Sequence, residues 1–228
     1  MQERDSPYRL PAAIASYAEA APRKVPGLAD LHRMMMLLIA EQAPSTAKIL
    51  VVGAGGGMET KVMAEEQPAW RFTGVDPSPA MLDLARQTLG QFSDRVDLIE
   101  GTIDQAPIEP FDGATCMLTL HHVDRGERTW TLREIRRRLK PGAKLVLAHH
   151  SAPDSNPERW MTLSVAYGER ADLDWAKAAS TAKMMVDRLA LLAPADEEKL
   201  LRDSGFVDVT LFYAAFSFRG WVATASSD

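Results

Sequence analysis

Residues 48–59 read KILVVGAGGGME, an apolar and β-branched run that stops at closely spaced glycines. The pattern predicts a strand that enters a glycine-rich turn and then a helix, where the backbone can approach a ligand and present unpaired N–H groups to it. Asp76 ends the next apolar run, about twenty residues further on, and its carboxylate can accept both hydroxyls of a ribose. Together these features predict a site for a cofactor that carries a nucleoside.

The size and composition of the chain fit a single α/β domain. It has 228 residues, of which 46% are hydrophobic and 25% charged, as in an ordinary globular protein. The net charge of -5 gives no attraction for nucleic acid or an anionic membrane. Cys116 is the single cysteine, so an intrachain disulfide is excluded and a reducing cytoplasm is the expected location. No signal peptide or membrane span is predicted, because residues 1–5 are polar and the longest apolar stretch covers only 34–40.

Strands and helices alternate through most of the chain. Apolar strands joined by helices predict a parallel sheet that is covered on both faces. With a hairpin near the C-terminus, we predict an α/β fold: a Rossmann-like seven-stranded sheet, mostly parallel with an antiparallel last strand, and helices on both faces. Lys140, Pro141 and Gly142 predict a sharp stop before the fifth strand. The predicted strands are 48–53, 71–76, 95–100, 111–118, 143–149, 206–212 and 216–223, and the predicted helices among them are 58–67, 78–90, 126–139 and 194–204.

Two further helical segments flank this pattern. Helices at 8–21 and 27–43 predict an N-terminal helical cap over residues 1–44, and the cofactor-binding core then covers 45–228. Within the core, residues 151–190 predict a helical insertion after the fifth strand. Because ligands bind at the carboxyl ends of such strands, this insertion is either a lid over the ligand or a pair of helices that pack on the sheet edge.

The spacing of the glycines distinguishes between cofactors. A dinucleotide turn reads G-x-G-x-x-G, but the sixth position counted from Gly53 is Met58. The third glycine is instead Gly57, which gives G-x-G-x-G. No Gly-Lys-Ser/Thr follows, so a P-loop is excluded. The spacing therefore disfavours nicotinamide dinucleotides and nucleoside triphosphates.

With Asp76 at the end of the second strand, the turn resembles that of the class I S-adenosylmethionine-dependent methyltransferases. The resemblance implies that Gly53, Ala54 and Gly55 lie against the amino acid moiety of S-adenosylmethionine. Gly57 completes the turn, and Asp76 holds the ribose hydroxyls.

Four further segments follow motifs of this family. They are DPSPAM at 76–81, EGTID at 100–104, FDGATCMLTLHHV at 111–123 and LKPGA at 139–143. The resemblance implies additional cofactor contacts at the adenine and near the transferred methyl group. These contacts are Pro77, Met81, Thr102, Ile103, Asp104 and Leu118.

Two positions depart from the family pattern. Val51 stands two positions before the first glycine, where the family usually has an acidic residue. Glu59, in the first turn of the next helix, can accept the cofactor's ammonium in its place, or can simply be favoured there by the helix dipole. Thr102 stands where Asp or Asn is common, which shifts a side-chain contact with adenine toward Asp104.

Part of the chain is also similar to the carboxy-S-adenosylmethionine synthases. The similarity rests on RKVPG at 23–27 and on Gly205-Phe206 with the hairpin that follows. Those enzymes act in the tRNA wobble-uridine pathway and carry a carboxyl group from prephenate to the cofactor's methyl. The family's carboxylate-binding Arg corresponds here to Ala182 beside Lys183, and a lysine lacks the bidentate fork of arginine. This activity is kept as an alternative.

Two adjacent histidine pairs are predicted at the carboxyl edge of the sheet. His121 and His122 follow the fourth strand, and His149 and His150 follow the fifth. Methyl transfer is a displacement at a sulfonium that the cofactor supplies, so a base is needed only when the acceptor starts protonated. We predict His122 as that base, with structural or polar roles as the alternative for each pair. A metal would need a further ligand in suitable geometry, and none is predicted.

Features of nucleic-acid methyltransferases are missing from the sequence. Cys116 lacks the Pro-Cys setting of a cytosine C5-methyltransferase nucleophile and is predicted to be a small buried hydrophobe. One basic cluster falls on the helix at 126–139, and we predict that it forms a solvated face, with an RNA-binding patch as the alternative. Its members are Arg133, Arg136, Arg137, Arg138 and Lys140.

The sequence therefore predicts an enzyme that transfers a methyl group from S-adenosylmethionine to a small molecule and releases S-adenosylhomocysteine. The alternatives are a carboxy-S-adenosylmethionine synthase-like enzyme and a non-catalytic module that binds S-adenosylmethionine or S-adenosylhomocysteine. The prediction excludes a membrane partner, disfavours nucleic acid and allows a homodimer. Residues proposed for the substrate side are Tyr17, Arg33, Trp160, Tyr167 and Arg170.

Overall fold

The structure is a computed structural model that describes residues 17–153, 155–169 and 173–227. Its strands are β1 Lys48–Val52, β2 Arg71–Asp76, β3 Val96–Glu100, β4 Phe111–Met117, β5 Leu139–His150, β6 Phe206–Ala215 and β7 Phe218–Ala225. They form one sheet in the order β3-β2-β1-β4-β5-β7-β6. The chain order reverses between β1 and β4, and in such sheets the crevice outside the carboxyl ends of the strands at this point binds ligands.

The helices lie on both faces of this sheet. They are α1 Tyr17–Lys24, α2 Leu28–Ala40, α3 Met58–Glu66, α4 Pro79–Thr88, α5 Arg125–Arg138, α6 Pro157–Glu169, α7 Trp175–Arg188 and α8 Pro194–Asp203. Apolar residues of α5 and α8 pack in the core on one face, and those of α1, α2 and α3 pack on the other. The predicted Rossmann-like arrangement, with helices on both faces, is confirmed.

Strand β1 shows why the sheet is covered on both sides. Successive side chains of a strand point to opposite faces. Ile49 and Val51 join the core beneath α2 and α3, whereas Leu50 and Val52 join the core beneath α5. All four are at most 5% exposed, so neither face of this strand meets water. A continuous apolar run is the sequence pattern that such a buried parallel strand produces.

The last strand in the chain, β7, is antiparallel, as predicted. It pairs antiparallel with β5 over residues 144–150 and with β6 on its other side. The antiparallel strand therefore lies inside the sheet, and β6 forms the edge and runs parallel to β5. The predicted hairpin is present, but its first strand and not its last strand closes the sheet.

The start of β5 differs from the prediction. The helix α5 ends at Arg138, but the strand already begins at Leu139 and includes Pro141 and Gly142. Gly142 has a φ of 82°, and the pairing of β4 with β5 shifts in register between Phe111 and Gly113. The Lys140-Pro141-Gly142 segment is thus an irregular part of the strand and not a loop before it, because the flanking residues still pair with β4.

The basic cluster at the end of α5 is solvated only in part, because Arg133, Arg137 and Lys140 are exposed as predicted, whereas Arg136 and Arg138 are not. Arg138 is 2% exposed, and its guanidinium donates to the carbonyl of Ala106 at 3.1 and 3.2 Å. Arg136 donates to the carbonyls of Gly205 and Ser226. Carbonyl groups at the ends of other elements thus take up two of the five positive charges, a pairing that the sequence pattern of charges does not reveal.

The flanking helices also differ in extent from the prediction. Helix α1 continues through Pro22 to Lys24, and residues 8–16 of the first predicted helix lie outside the described residues. In the segment after β5, α6 and α7 are helical as predicted, and they pack along each other. Over the described part of the chain, we find no helix that is long and apolar enough to cross a membrane.

Candidate active site

The glycine turn after β1 takes a backbone shape that other residues adopt only with strain. Gly53, Gly55 and Gly57 have φ values of 74°, 50° and 78°, in the left-handed region that favours glycine. At Gly53 a Cβ would come within 2.1 Å of the Oγ1 atom of Thr119. Gly57 caps α3, and a Cβ there would lie 2.9 Å from a methyl group of Leu89. The turn is therefore a cradle of bare backbone, which fits the close approach of a ligand.

Hydrogen bonds tie the turn to the neighbouring strand β2. The N–H groups of Gly53 and Ala54 both donate to the carbonyl of Val75, each at 2.9 Å. Ala54 is fully buried, so its side chain supports the turn from the interior of the protein. The prediction that Gly53 and Ala54 contact the cofactor stays a prediction.

Asp76 ends β2 with its carboxylate already held in place. Its Oδ2 accepts from the N–H of Gly55 at 2.8 Å, and its Oδ1 accepts from the N–H of Ser78 at 2.9 Å. Burial raises the pKa of Asp76 above its ordinary value, and these two backbone N–H groups act in the opposite direction. Each carboxylate oxygen retains a free lone pair, so the group can still accept ribose hydroxyls.

The start of α4 completes the adenine side of the predicted pocket. The Ser78 hydroxyl accepts from the N–H of Met81 at 3.3 Å and so caps the helix. Met81 is 4% exposed, and its terminal methyl lies 3.6 Å from where a Gly55 Cβ would stand. Pro77 stands between Asp76 and the capping serine. Met81 therefore packs directly beside the glycine turn, and its contact with adenine stays a prediction.

The segment after β3 forms a self-contained turn. Gln105 accepts from the N–H of Thr102 at 2.8 Å, and the hydroxyl of Thr102 donates to Asp104. The hydrogen bonds that the Thr102 hydroxyl and the Gln105 amide donate to Asp104 hold the pKa of Asp104 below its usual value. Ile103 is buried in the core, whereas Thr102 and Asp104 are exposed. The segment lies next to Asp76, because Gly101 donates to the Asp76 carbonyl at 3.0 Å. Sequence reasoning missed Gln105.

The exit of β4 lies directly against the glycine turn. Leu118 has a φ of 56°, an uncommon left-handed conformation for a branched side chain, and its N–H donates to the Ala148 carbonyl at 2.5 Å. Such strain is often found at functional sites. Thr119 follows and packs against Gly53, a contact that no local sequence pattern indicates. Leu118 thus lies at the β4 exit next to Thr119, and its contact with the cofactor stays a prediction.

The four predicted histidines come together at the ends of β4 and β5. The His121 ring centroid lies 4.1 Å from that of His122, 4.9 Å from that of His150 and 6.3 Å from that of His149. Burial lowers the pKa of His121 well below its ordinary value, and it lowers that of His150 to about 3. Both rings are therefore neutral at physiological pH. Their polar contacts are internal, since the Nδ1 of His150 bonds the Ser217 hydroxyl at 2.8 Å.

His122 differs from the other three because it is exposed. The surrounding protein removes water from part of its ring and lowers its pKa, and the positive charge of Arg128 lowers it further. A neutral and accessible imidazole can accept a proton, so this placement is compatible with the predicted base. Within the described ranges, no group of three or more His, Cys, Asp and Glu side chains has the arrangement of a metal site.

A buried ion pair behind the histidines was not found from the sequence. Arg128 donates to Glu197 at 2.5 Å, and the Nε2 of His149 lies 2.9 Å from the same carboxylate oxygen. All three side chains are fully buried. Burial alone would raise the pKa of Glu197, but His149 and Arg128 hold it below its ordinary value. The cluster joins α5, α8 and β5, and it supports the histidine edge from the core side.

The residues proposed for the substrate side do not form one group. Tyr17 lies beside the glycine turn, since its ring is 3.4 Å from where a Gly56 Cβ would stand. Arg33, on α2, donates to Glu66 at 3.3 Å, at the end of α3 that is remote from the glycine turn, a contact that gives no support to its assignment to the substrate side. Tyr167 is partly exposed and packs near the hairpin that joins β6 and β7. Trp160 is half-buried on α6, and Arg170 lies outside the described residues.

Comparison with known proteins agrees with this fold. Residues 50–145 match the family model of a methyltransferase domain. An O-methyltransferase family protein from Burkholderia thailandensis has a TM-score of 0.66 at 16% identity, and the match covers 95% of this chain and 58% of that one. Human N-acetylserotonin methyltransferase in complex with SAM has a TM-score of 0.62 at 18% identity, and the match covers 96% of this chain and 57% of that one. The chain spans less than two thirds of either solved protein, and these likenesses show the fold.

In its matched domain and in its sheet, this chain is therefore similar to the class I S-adenosylmethionine-dependent methyltransferases, the class of protein whose cofactor is S-adenosylmethionine. More particularly, the chain is similar to the carboxy-S-adenosyl-L-methionine synthase of Chromohalobacter salexigens. The two are 28% identical over 223 residues, which cover 92% of this chain and 80% of that protein. The predicted likeness to this branch is confirmed, and the bare cradle at Gly53 and Gly57 fits a bound cofactor.

Proposed function

We propose that the protein transfers a methyl group from S-adenosylmethionine to a small-molecule acceptor and releases S-adenosylhomocysteine. The observation that supports the cofactor's position is the carboxylate of Asp76, fixed by the N–H groups of Gly55 and Ser78 at the switch point of the sheet. In this proposal Gly53, Gly55 and Gly57 hold the amino acid end, and Asp76 holds the ribose. Met81, Thr102 and Asp104 surround the adenine.

The chemistry asks little of the protein beyond positioning. The sulfonium of S-adenosylmethionine supplies the electrophilic methyl group. Leu118 and the 3₁₀ turn at Leu120–His122 lie at the β4 exit beside the glycine turn, where they can exclude water from the reacting centre. His122 takes the proton when the acceptor's nucleophile carries one. Its lowered pKa keeps the ring neutral, so it is ready to accept that proton at pH 7.

The contacts of the basic side chains at the end of α5 favour a small acceptor over a polyanion. Binding of a polyanion such as nucleic acid needs a patch of free Lys and Arg side chains. On α5 the guanidinium groups of Arg136 and Arg138 are instead occupied by carbonyl groups, and Lys140 pairs with Asp112 at 2.6 Å. The net charge of -5 also disfavours binding of a polyanion. A neutral or cationic small molecule fits these observations better.

Carboxy-S-adenosylmethionine synthesis is the second candidate, and the 28% identity to such a synthase favours it. Two residues of α7 argue against this synthase activity. Ala182 is fully buried, and the side chain of Lys183 is 62% exposed and pairs with Asp187 at 3.1 Å. Neither residue offers the bidentate cation that an added carboxylate group would require.

Mass spectrometry can separate the two activities. The protein is incubated with S-adenosylmethionine and prephenate, and separately with S-adenosylmethionine and a panel of small O-, N- and S-nucleophiles. We expect S-adenosylhomocysteine to accumulate only with one of the nucleophiles, at a rate that His122→Gln lowers. A product heavier than the cofactor by one carboxyl group, formed in the presence of prephenate, would instead establish the synthase activity.

A further inference from the structure

A chain of buried hydrogen bonds joins helix α6 to the tip of the hairpin between β6 and β7. The Ser164 Oγ of α6 lies 2.6 Å from the Ser217 Oγ and accepts from the Ser217 N–H at 3.1 Å. The Ser217 Oγ in turn lies 2.8 Å from the Nδ1 of His150, at the end of β5. All three residues are at most 7% exposed. The proposed function gives the two serines no task.

Each hydroxyl hydrogen of this chain can find an acceptor within it. Burial lowers the pKa of His150 to about 3, so its ring is neutral and its Nδ1 can accept a hydrogen bond. The Ser217 hydroxyl can then donate to His150, and the Ser164 hydroxyl can donate to Ser217. Separation of α6 from the hairpin breaks two contacts at once, because Ser164 also accepts from the Ser217 N–H. The complete pairing therefore defines one position of α6.

The hairpin side of the chain is held firmly to the sheet. The carbonyl of Ser217 accepts from the N–H of Ser151, directly after β5, at 2.8 Å. The ring of Phe218, the next residue, stacks on that of His150 with the centroids 3.9 Å apart. The backbone N–H of His150 donates to the Nδ1 of His121 at 3.4 Å. Ser217 is thus a fixed point of the sheet edge that carries the histidines, and α6 is the element that it fastens.

Helix α6 in turn connects to the glycine turn through α1. A Cβ at Gly168 of α6 would lie 3.4 Å from the Cγ of Lys24 on α1, so the two helices are in close contact. At the other end of α1, the Tyr17 ring lies 3.4 Å from where a Gly56 Cβ would stand. The two helices, named the cover here, therefore extend from the histidines to the glycine turn. A displacement of the cover opens the crevice on that side.

Hydroxyl groups suit a contact that must form and break. Helix α6 also buries Met161 and Ala166, but apolar contacts are non-directional and do not select one position. When the cover separates from the hairpin, water can take over the hydrogen bonds of Ser164 and Ser217, so the net free energy of their contact is small. The hydrogen-bond chain therefore selects a closed position and still allows opening, as the exchange of a bound cofactor requires.

We propose that Ser164 and Ser217 are positioning residues that latch the cover closed over the bound cofactor. The inference rests on the proposed function, which places S-adenosylmethionine in the crevice. In the closed state the same contacts hold α6 against the edge that carries the histidines, so the acceptor is enclosed beside the proposed base. Opening breaks the contacts between the two serines and leaves His150 in place.

Hydrogen exchange followed by mass spectrometry tests the latch on the ligand-free protein. Ser164→Ala removes the hydroxyl that joins α6 to the hairpin and deprives the Ser217 N–H of its acceptor in the closed state. We expect backbone amides of α1 and α6 to exchange about tenfold faster, with no change in β1 and β4. Ser151→Ala is the matched control, because its hydroxyl belongs to a fully buried residue but donates to the Leu192 carbonyl at 2.8 Å. The control should leave exchange in α6 unchanged.

The release of S-adenosylhomocysteine is a second readout, which a merely structural role would not move. Stopped-flow tryptophan fluorescence should show release about tenfold faster from Ser164→Ala, because an open cover no longer retains the ligand. Ser217→Ala should act in the same direction. Ser151→Ala should release the ligand at the rate of the unmodified protein, although it also removes a buried hydrogen bond from the fold.

The outcomes separate the latch from the proposed function. Exchange that rises equally in β1 and α6, or release from Ser164→Ala at the rate of the unmodified protein, overturns the latch and leaves the proposed function intact. Equal effects of Ser151→Ala and Ser164→Ala on release also overturn it. If the unmodified protein binds no S-adenosylhomocysteine, the proposed function fails, and exchange in the ligand-free variants alone decides whether α6 is latched.

Discussion

Two backbone N–H groups fix the Asp76 carboxylate, one from the glycine turn and one from the start of α4. The same side chain therefore joins three elements and presents its remaining lone pairs to the crevice. The sequence predicted its role from its place at the end of an apolar strand. The two donors, Gly55 and Ser78, become visible as its partners only in the structure, because they lie on different loops.

Asp76→Ala should weaken binding of S-adenosylhomocysteine by about 1.5–3 kcal/mol, because hydrogen bonds from the ribose hydroxyls to a charged group are lost. Isothermal calorimetry measures this change. Asp83→Ala on α4 is the control, since Asp83 is exposed and pairs only with Arg86 at 2.7 Å in the described structure. Equal affinities in Asp76→Ala and the unmodified protein would disprove the ribose assignment.

Gly53→Ala should destabilise the fold by about 2 kcal/mol or more, because a left-handed φ of 74° is unfavourable for alanine and its Cβ would clash with Thr119. Urea denaturation measures the loss. In contrast, Gly126→Ala on α5 has open space around its Cβ and should stabilise the protein by about 0.5–1 kcal/mol. Similar stabilities for the two variants would contradict the account of the turn.

The elements that the sequence predicted well are the ones with strong local patterns. Strand β2 has the predicted limits, and β1 ends one residue early, because each is a continuous apolar run between turn residues. Strand β5 began earlier than expected, since Pro141 and Gly142 resemble a loop in sequence, although the chain still pairs with β4 there. Interactions between elements, such as the ion pair of Arg128 and Glu197, leave no pattern in the local sequence from which they could be predicted.

Glu197→Ala tests the buried link among α5, α8 and β5. The substitution leaves Arg128 buried without its carboxylate, and we expect a loss of about 3–5 kcal/mol in the free energy of unfolding. Glu198→Ala, on the next residue, removes a partly exposed pair with Arg202 at 3.1 Å and should cost less than about 1 kcal/mol. Chemical denaturation compares them, and a small effect at Glu197 would show that the pair adds nothing to stability.

The whole sheet is what brings the predicted residues together. Residues from the ends of β1, β2 and β4 meet at one crevice because parallel strands present their carboxyl ends on the same edge. The sequence predicted this edge and the glycine turn from local patterns and family motifs. It did not predict that β6 forms the sheet edge, because a hairpin can add to β5 through either of its strands.

Buried neutral histidines should make the molecule sensitive to acid. The pKa of His150 is about 3 in the folded protein against 6.5 ordinarily, so the unfolded chain binds the proton first. Its contribution to stability is present above the unfolded pKa of about 6.5 and is lost as the pH falls toward the folded pKa. The thermal midpoint should therefore drop between about pH 7 and pH 5. His150→Asn, which can keep the bond to Ser217, should flatten this dependence, and an unchanged slope would exclude His150 as a cause.

The most direct measurement is calorimetric titration of the unmodified protein with S-adenosylmethionine and, separately, with NAD. The glycine spacing and the fixed carboxylate of Asp76 predict binding of one S-adenosylmethionine per chain and no measurable binding of NAD. Binding of NAD, or failure to bind S-adenosylmethionine, would contradict the assignment of the crevice at Gly53 and Asp76.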